Sequence, residues 1–170
     1  MINDILKNII RFFFLILLQV LILNNIQLSG YLNPFLYILF ILMLPFQTPD
    51  WLVLFLSFFL GITMDMFSNT GGMHAAATVF MAFLRQPILR FIAPREGYDS
   101  NQQPTIHQFG IGWFFTYAGF LVLTHHLILF YLEAFRFSNF FSTFFRSLSS
   151  ALFTLILIFI SQFFFSARRK

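Results

Sequence analysis

Long apolar runs fill this chain, separated only by short polar clusters. A helix needs about 20 residues to cross the roughly 30 Å of hydrocarbon in a bilayer, and several runs approach that length. Unpaired backbone groups are costly in hydrocarbon, so such runs predict helices. Their continuous rather than alternating apolarity argues against a β-barrel. The pattern predicts an all-α polytopic membrane protein, one integral domain over 1–170, with six transmembrane helices at 9–28, 31–46, 51–67, 73–92, 109–132 and 144–165. The second run holds Pro34 and Pro45 and would rise only about 24 Å as helix, which leaves a tilted short span or a re-entrant segment open. In the fourth, Arg85 and Pro87 predict an arginine snorkelling to the surface, followed by an interfacial tail.

Charge orients these spans, because cytoplasmic ends collect Lys and Arg. With the N-terminus inside, Lys7, Arg11, Arg85, Arg90, Arg95, Arg168, Arg169 and Lys170 fall inside, and Arg136 and Arg146 outside. This asymmetry predicts an N-in, C-in protein whose second span crosses. Trp51 and Trp113 then mark inner-surface helix ends, as interfacial anchors do. The polar connection 94–108 faces the cytoplasm, as a partner-binding loop or a floppy link. Gly110, Gly112 and Gly119 in the fifth span either permit close helix contact or begin the helix flexibly.

Composition agrees with the pattern: 59% of residues are hydrophobic, 9% are charged and 29 are Phe. The mean hydropathy of +0.82 leaves too little polar surface for a water-soluble domain. The basic excess flanks apolar runs, where it meets lipid rather than nucleic acid. The chain has no Cys, so disulfides and thiolate metal sites are excluded. The run 9–23 lacks a small-residue cleavage site and is read as a retained span rather than a signal peptide.

Against this background the stretch "GITMDMFSNTGGMHAA" places an acid at the end of an apolar run. Ser57, Gly61 and Asp65, at i, i+4 and i+8, share a helix face with Ser68 nearby. Such a stripe should face other helices, with Asp65 meeting a donor inside the bundle. "SNTGG", including Gly71 and Gly72, predicts a tight turn, and His74 with the following alanines opens a closely packed fourth helix. For Asp65 a structural lock of this hairpin and a proton- or ligand-handling role both stand open. His125, His126 and Glu133 on the fifth span, with Asp65 and His74, offer a hydrogen-bonded polar cluster or a His and carboxylate metal site, although the spacing is not a metal signature. No hydrolase motif accompanies Ser68 and His74, and Gly71 and Gly72 lack the Lys of a phosphate loop. No catalytic set and no cofactor site is expected.

Gly61, Asp65, Ser68, Gly72, His74 and Ala75, in this order and spacing on a six-span chain of this size, resemble the rod shape-determining protein MreD family. The resemblance implies a non-enzymatic inner-membrane assembly factor of the bacterial cell-wall elongation machinery. Its implied partners are the membrane-anchored periplasmic protein MreC, the actin-like MreB, the glycan polymerase RodA and the transpeptidase partner of RodA. It also implies a fold similar to the substrate-binding subunits of energy-coupling-factor vitamin transporters. A vitamin-type transport subunit is therefore the chief rival reading. Such subunits carry an Ala-x-x-x-Ala pattern on the first helix, whereas "FFFLILLQVLILNN" has no alanine. Gln19 alone interrupts that helix, as an interhelical hydrogen bond would require. An intramembrane hydrolase is the third reading.

Overall fold

Helices dominate residues 2–25, 32–99, 102–135 and 140–166, the parts of the chain that the computed structural model describes. They are α1 (Ile2–Leu21), a single turn α2 (Leu39–Leu42), α3 (Asp50–Ser68), α4 (Met73–Phe91), α5 (Ile106–Ala134) and α6 (Phe140–Ser166). Among the described residues, four helical stretches are long and apolar enough to cross a membrane: Leu6–Asn25, Asp50–Ser68, Ile106–Ala134 and Phe140–Phe163. The protein is thus an all-α chain of membrane type. Residues 26–28 and 31 of the expected first and second spans, and the expected charges Arg136, Arg168, Arg169 and Lys170, lie outside the described residues.

Helices α3 to α6 pack as neighbours in chain order, and α1 lies against α3 and the segment around α2. Their outward side chains are apolar, including Phe13, Phe14, Phe55, Phe58 and Phe59, as lipid contact favours. Two expected features of the spans are corrected by the interior.

The expected second helix, 31–46, is not a helix of spanning length. Its described part is irregular, then forms a 3-10 turn over Leu36–Ile38 and the single turn α2. Every residue from Pro34 to Leu44 is buried. Irregular backbone at membrane depth is tolerated only where protein or water satisfies it, and here side chains from the surrounding helices do so. Gln19 of α1 donates from Nε2 to the Pro34 carbonyl (2.8 Å), and its Oε1 accepts from Leu36 N–H (2.8 Å). Ser150 and Thr154 of α6 accept from the N–H groups of Asn33 and Phe35. Further along, Arg11 donates to the Met43 carbonyl and Tyr117 of α5 to that of Leu42. Gln162 of α6 meets the Met43 sulfur. The stretch of α6 between Ser150 and Gln162 rises about 18 Å, so the segment runs lengthwise through the bundle as its central core.

Arg85 does not snorkel. It is 0% exposed and turned inward from α4. Its guanidinium donates to the Leu44 carbonyl (2.5 Å), the Pro45 carbonyl (3.4 Å) and the Tyr117 hydroxyl (3.0 Å). The core segment leaves those carbonyls without helical partners, and a cation with several donors satisfies them. Helix α4 continues through Pro87 to Phe91, close to the expected end of the fourth span at 92.

The connection 94–108 is anchored at Tyr98. Its ring stacks on Phe46 (4.2 Å between centroids), and its hydroxyl donates to the Leu89 carbonyl (2.8 Å). Burial pushes that hydroxyl's pKa up. Trp113, one of the two expected interfacial anchors, is half-buried beside Tyr98 and donates to the Ile92 carbonyl; Trp51, the other, is exposed at the start of α3. Gly110 has φ 81°, a break in helical backbone that glycine permits at the start of α5.

Candidate functional site

The α3–α4 hairpin is built around one missing side chain and one borrowed one. Helix α3 ends at Asn69, whose left-handed conformation (φ 56°) is a common helix stop. Gly71 (φ 31°) and Gly72 (φ 95°) complete the turn in a backbone region that side chains disfavour. Gly72 also occupies the N-cap of α4, where a side-chain oxygen normally accepts from the first free N–H groups. Glycine has none to offer, and Asp65 of α3 takes that place. Asp65 Oδ1 accepts from His74 N–H (3.0 Å) and the Thr70 hydroxyl (2.6 Å), and Oδ2 accepts from Ala75 N–H (2.9 Å). Its negative charge also lies favourably at the positive end of the α4 dipole.

Asp65 reaches these groups because Gly61 lets the helices nearly touch. A Cβ at Gly61 would lie 2.4 Å from the Ala75 Cα and 2.7 Å from its N, both backbone atoms that cannot turn aside. Gly61→Ala is therefore expected to push α3 from α4 and destabilise the fold by about 1–3 kcal/mol. An unchanged unfolding midpoint in detergent would contradict this close approach. Ser57, one turn before Gly61, is buried and bonds back to the Val53 carbonyl.

His74 turns its ring toward Tyr37, in the core segment. The Tyr37 hydroxyl lies 3.0 Å from His74 Nδ1, 2.8 Å from His125 Nε2 and 3.3 Å from Thr78 Oγ1. A phenol has one proton, so when it donates to one imidazole it must accept from the other. His125 Nδ1 is buried with no partner among the described residues. His126 stands apart from this chain: its Nδ1 lies 2.8 Å from the Val122 carbonyl and its Nε2 3.0 Å from Thr154 Oγ1. A carbonyl only accepts, so Nδ1 carries a proton, and in the neutral ring Nε2 accepts from Thr154. The Phe35 ring packs against His74, His125 and His126.

Structure thus brings His74 and His125 to one tyrosine and places Asp65 behind His74, on its backbone rather than its ring. Glu133 is elsewhere, exposed and 3.4 Å from Arg146. Among the described residues no three His, Asp or Glu side chains come together in a way that would hold a metal ion.

Tyr37 and Thr154 were not singled out from sequence, and Thr78 only as a small residue of a closely packed helix. Tyr37 is a polar ring within an apolar run, a weak signal, and the two threonines look like ordinary helix residues. Gln19, read as an interhelical hydrogen bond, instead serves the backbone of the core segment. No protein-family model, curated protein or solved structure matches this chain.

Proposed function

We propose that the chain is a non-enzymatic assembly factor of the bacterial rod-shape machinery. In this reading it crosses the inner membrane six times, with the core segment as the second crossing, α4 as the fourth and both termini inside. Its partners are those implied by the motif around Asp65: MreC, MreB, RodA and the transpeptidase that works with RodA.

The observation that carries the non-enzymatic part is the use of Asp65. Both carboxylate oxygens are taken up by donors of its own hairpin, so the most conspicuous acid of the apolar interior has a structural task. Arg85, Gln19 and Thr154 likewise turn to the chain's own backbone. What remains outward is a set of apolar helix faces suited to lipid and to transmembrane helices of partners. The centre of the bundle is filled by residues such as Tyr37, Ile38, Ile41 and Leu42, all 0% exposed, which weighs against a vitamin-sized pocket there and hence against transport.

The test is a pull-down of the detergent-solubilised, intact chain from its native cells, with co-purifying proteins identified by mass spectrometry. Recovery of the elongation proteins is expected, with less recovered by Asp65→Leu and an intermediate amount by Asp65→Asn. Recovery of an ATPase pair, or of a bound small molecule without these proteins, would replace this reading with transport.

A further inference from the structure

A cavity of about 340 Å³ opens where α5 ends and α6 begins, lined by Leu32, Ser142, Phe145, Arg146 and Ser149. The four α6 residues are spaced i, i+3, i+4 and i+7, so they form one continuous helix face. Two hydroxyls and a guanidinium therefore stand on a stripe whose remaining walls are a leucine and a phenylalanine.

Arg146 is held in place without being fully used. Its guanidinium carbon lies 4.4 Å from the centroid of the Phe130 ring. Its Nη1 and Nη2 both lie 3.4 Å from the same Glu133 oxygen, a long contact with an exposed carboxylate. With the Asn33 amide oriented so that its oxygen faces the guanidinium, Nη2 donates to it at 2.9 Å, and Nε is left without a partner among the described residues. The Arg146 side chain keeps 28% of its surface exposed, so its fork remains reachable. It stands about 9 Å along the helix from Phe140, where α6 begins. If α5 and α6 cross the bilayer, this is the depth at which glycerol and phosphate groups meet the hydrocarbon.

The geometry points to a binding site for the phosphodiester headgroup of a glycerophospholipid, with Arg146 toward the phosphate, the Ser142 and Ser149 hydroxyls, about 10 Å apart along the helix, toward different oxygens of the headgroup and glycerol, and Leu32 and Phe145 along an acyl chain. A planar guanidinium matches phosphate oxygens in charge and shape, and hydroxyls supply further donors. The half-apolar lining suits a ligand that is itself half apolar. This site rests on the membrane-spanning reading of the helices and not on any elongation partner.

The test uses the full chain, purified in detergent, stripped of lipid and titrated with phosphatidylglycerol or with diacylglycerol, which has the same chains and no phosphate. Bound lipid is read by native mass spectrometry. Wild type should retain phosphatidylglycerol over diacylglycerol, and Arg146→Gln should reduce retention about tenfold, the loss corresponding to one charge-assisted hydrogen bond. Ser149→Leu, which fills the mouth from an exposed position, should reduce it without lowering the melting temperature. Glu133→Gln should retain as much lipid as wild type or more, since it removes a competitor for the guanidinium. Equal retention of the two lipids by wild type, or wild-type retention by both Arg146→Gln and Ser149→Leu, would overturn the site. A failed pull-down of the elongation proteins leaves these readouts unaffected, because only the purified chain is used.

Discussion

Asp65→Leu is expected to lower stability by about 3–5 kcal/mol, from the loss of a helix cap and the stranding of buried donors. The N–H groups of His74 and Ala75 and the hydroxyl of Thr70 all lose their acceptor, and leucine replaces it with nothing polar. Water gives little relief, because Asp65 is only 7% exposed. Asp65→Asn keeps one oxygen able to accept, and about 1–2 kcal/mol is expected for it, with loss of the charge at the helix N-terminus. Denaturant titration in detergent, followed by helical circular dichroism, would order the variants as wild type, Asn and Leu. Equal midpoints for wild type and Asp65→Leu would remove Asp65 from its role as the cap of α4.

Gln19→Leu is expected to loosen the core segment by about 2–4 kcal/mol, with the effect concentrated at residues 34–37. Gln19 serves the Pro34 carbonyl, the Leu36 N–H and, at 3.4 Å, the Tyr37 N–H. The reference state makes this loss larger than for an ordinary side-chain pair within a membrane. An unpacked apolar segment in lipid can coil into a helix and bond to itself, so the native irregular path persists only while neighbouring side chains replace those bonds. Backbone hydrogen exchange should therefore quicken at Leu36 and Tyr37 before it does in α3 or α5. Thr154→Val removes the acceptor for the adjacent Phe35 N–H, and the two substitutions should be non-additive because they release the same stretch. Unchanged exchange at these amides in Gln19→Leu would show that the segment keeps its path without α1.

How much of the hairpin was legible shows in its two ends. Gly61 and Asp65 stood out because four-residue spacing puts them on one face, and an acid in an apolar helix must find donors. Which donors it finds depends on Gly72, whose lack of a side chain leaves the α4 N-terminus uncapped, and on a helix approach that brings backbone within 2.4 Å of where a Gly61 Cβ would be. Adjacent residues on a helix point about 100° apart, and the partners of His125 and His126 differ accordingly: Tyr37 for one, Val122 and Thr154 for the other. Arg85 was misread because snorkelling is the ordinary escape for a charge near a helix end, while the competing attraction of bare carbonyls at Leu44 and Pro45 lies in another part of the chain.

Sequence by itself determined that this is a helical chain of membrane type, and where α3, α4, α5 and α6 lie to within a few residues. Apolar length and the need to pair the backbone locally are properties of a contiguous stretch, so they can be read along the chain. Only the tertiary structure decided that the described part of the run 31–46, from Leu32 on, becomes an irregular core rather than a helix of spanning length. Its backbone is satisfied by Gln19, 15 residues before Pro34, and by Thr154, 119 residues after Phe35. The free energy that holds it in place lies in pairings between distant residues, which exist only once the helices have closed around it.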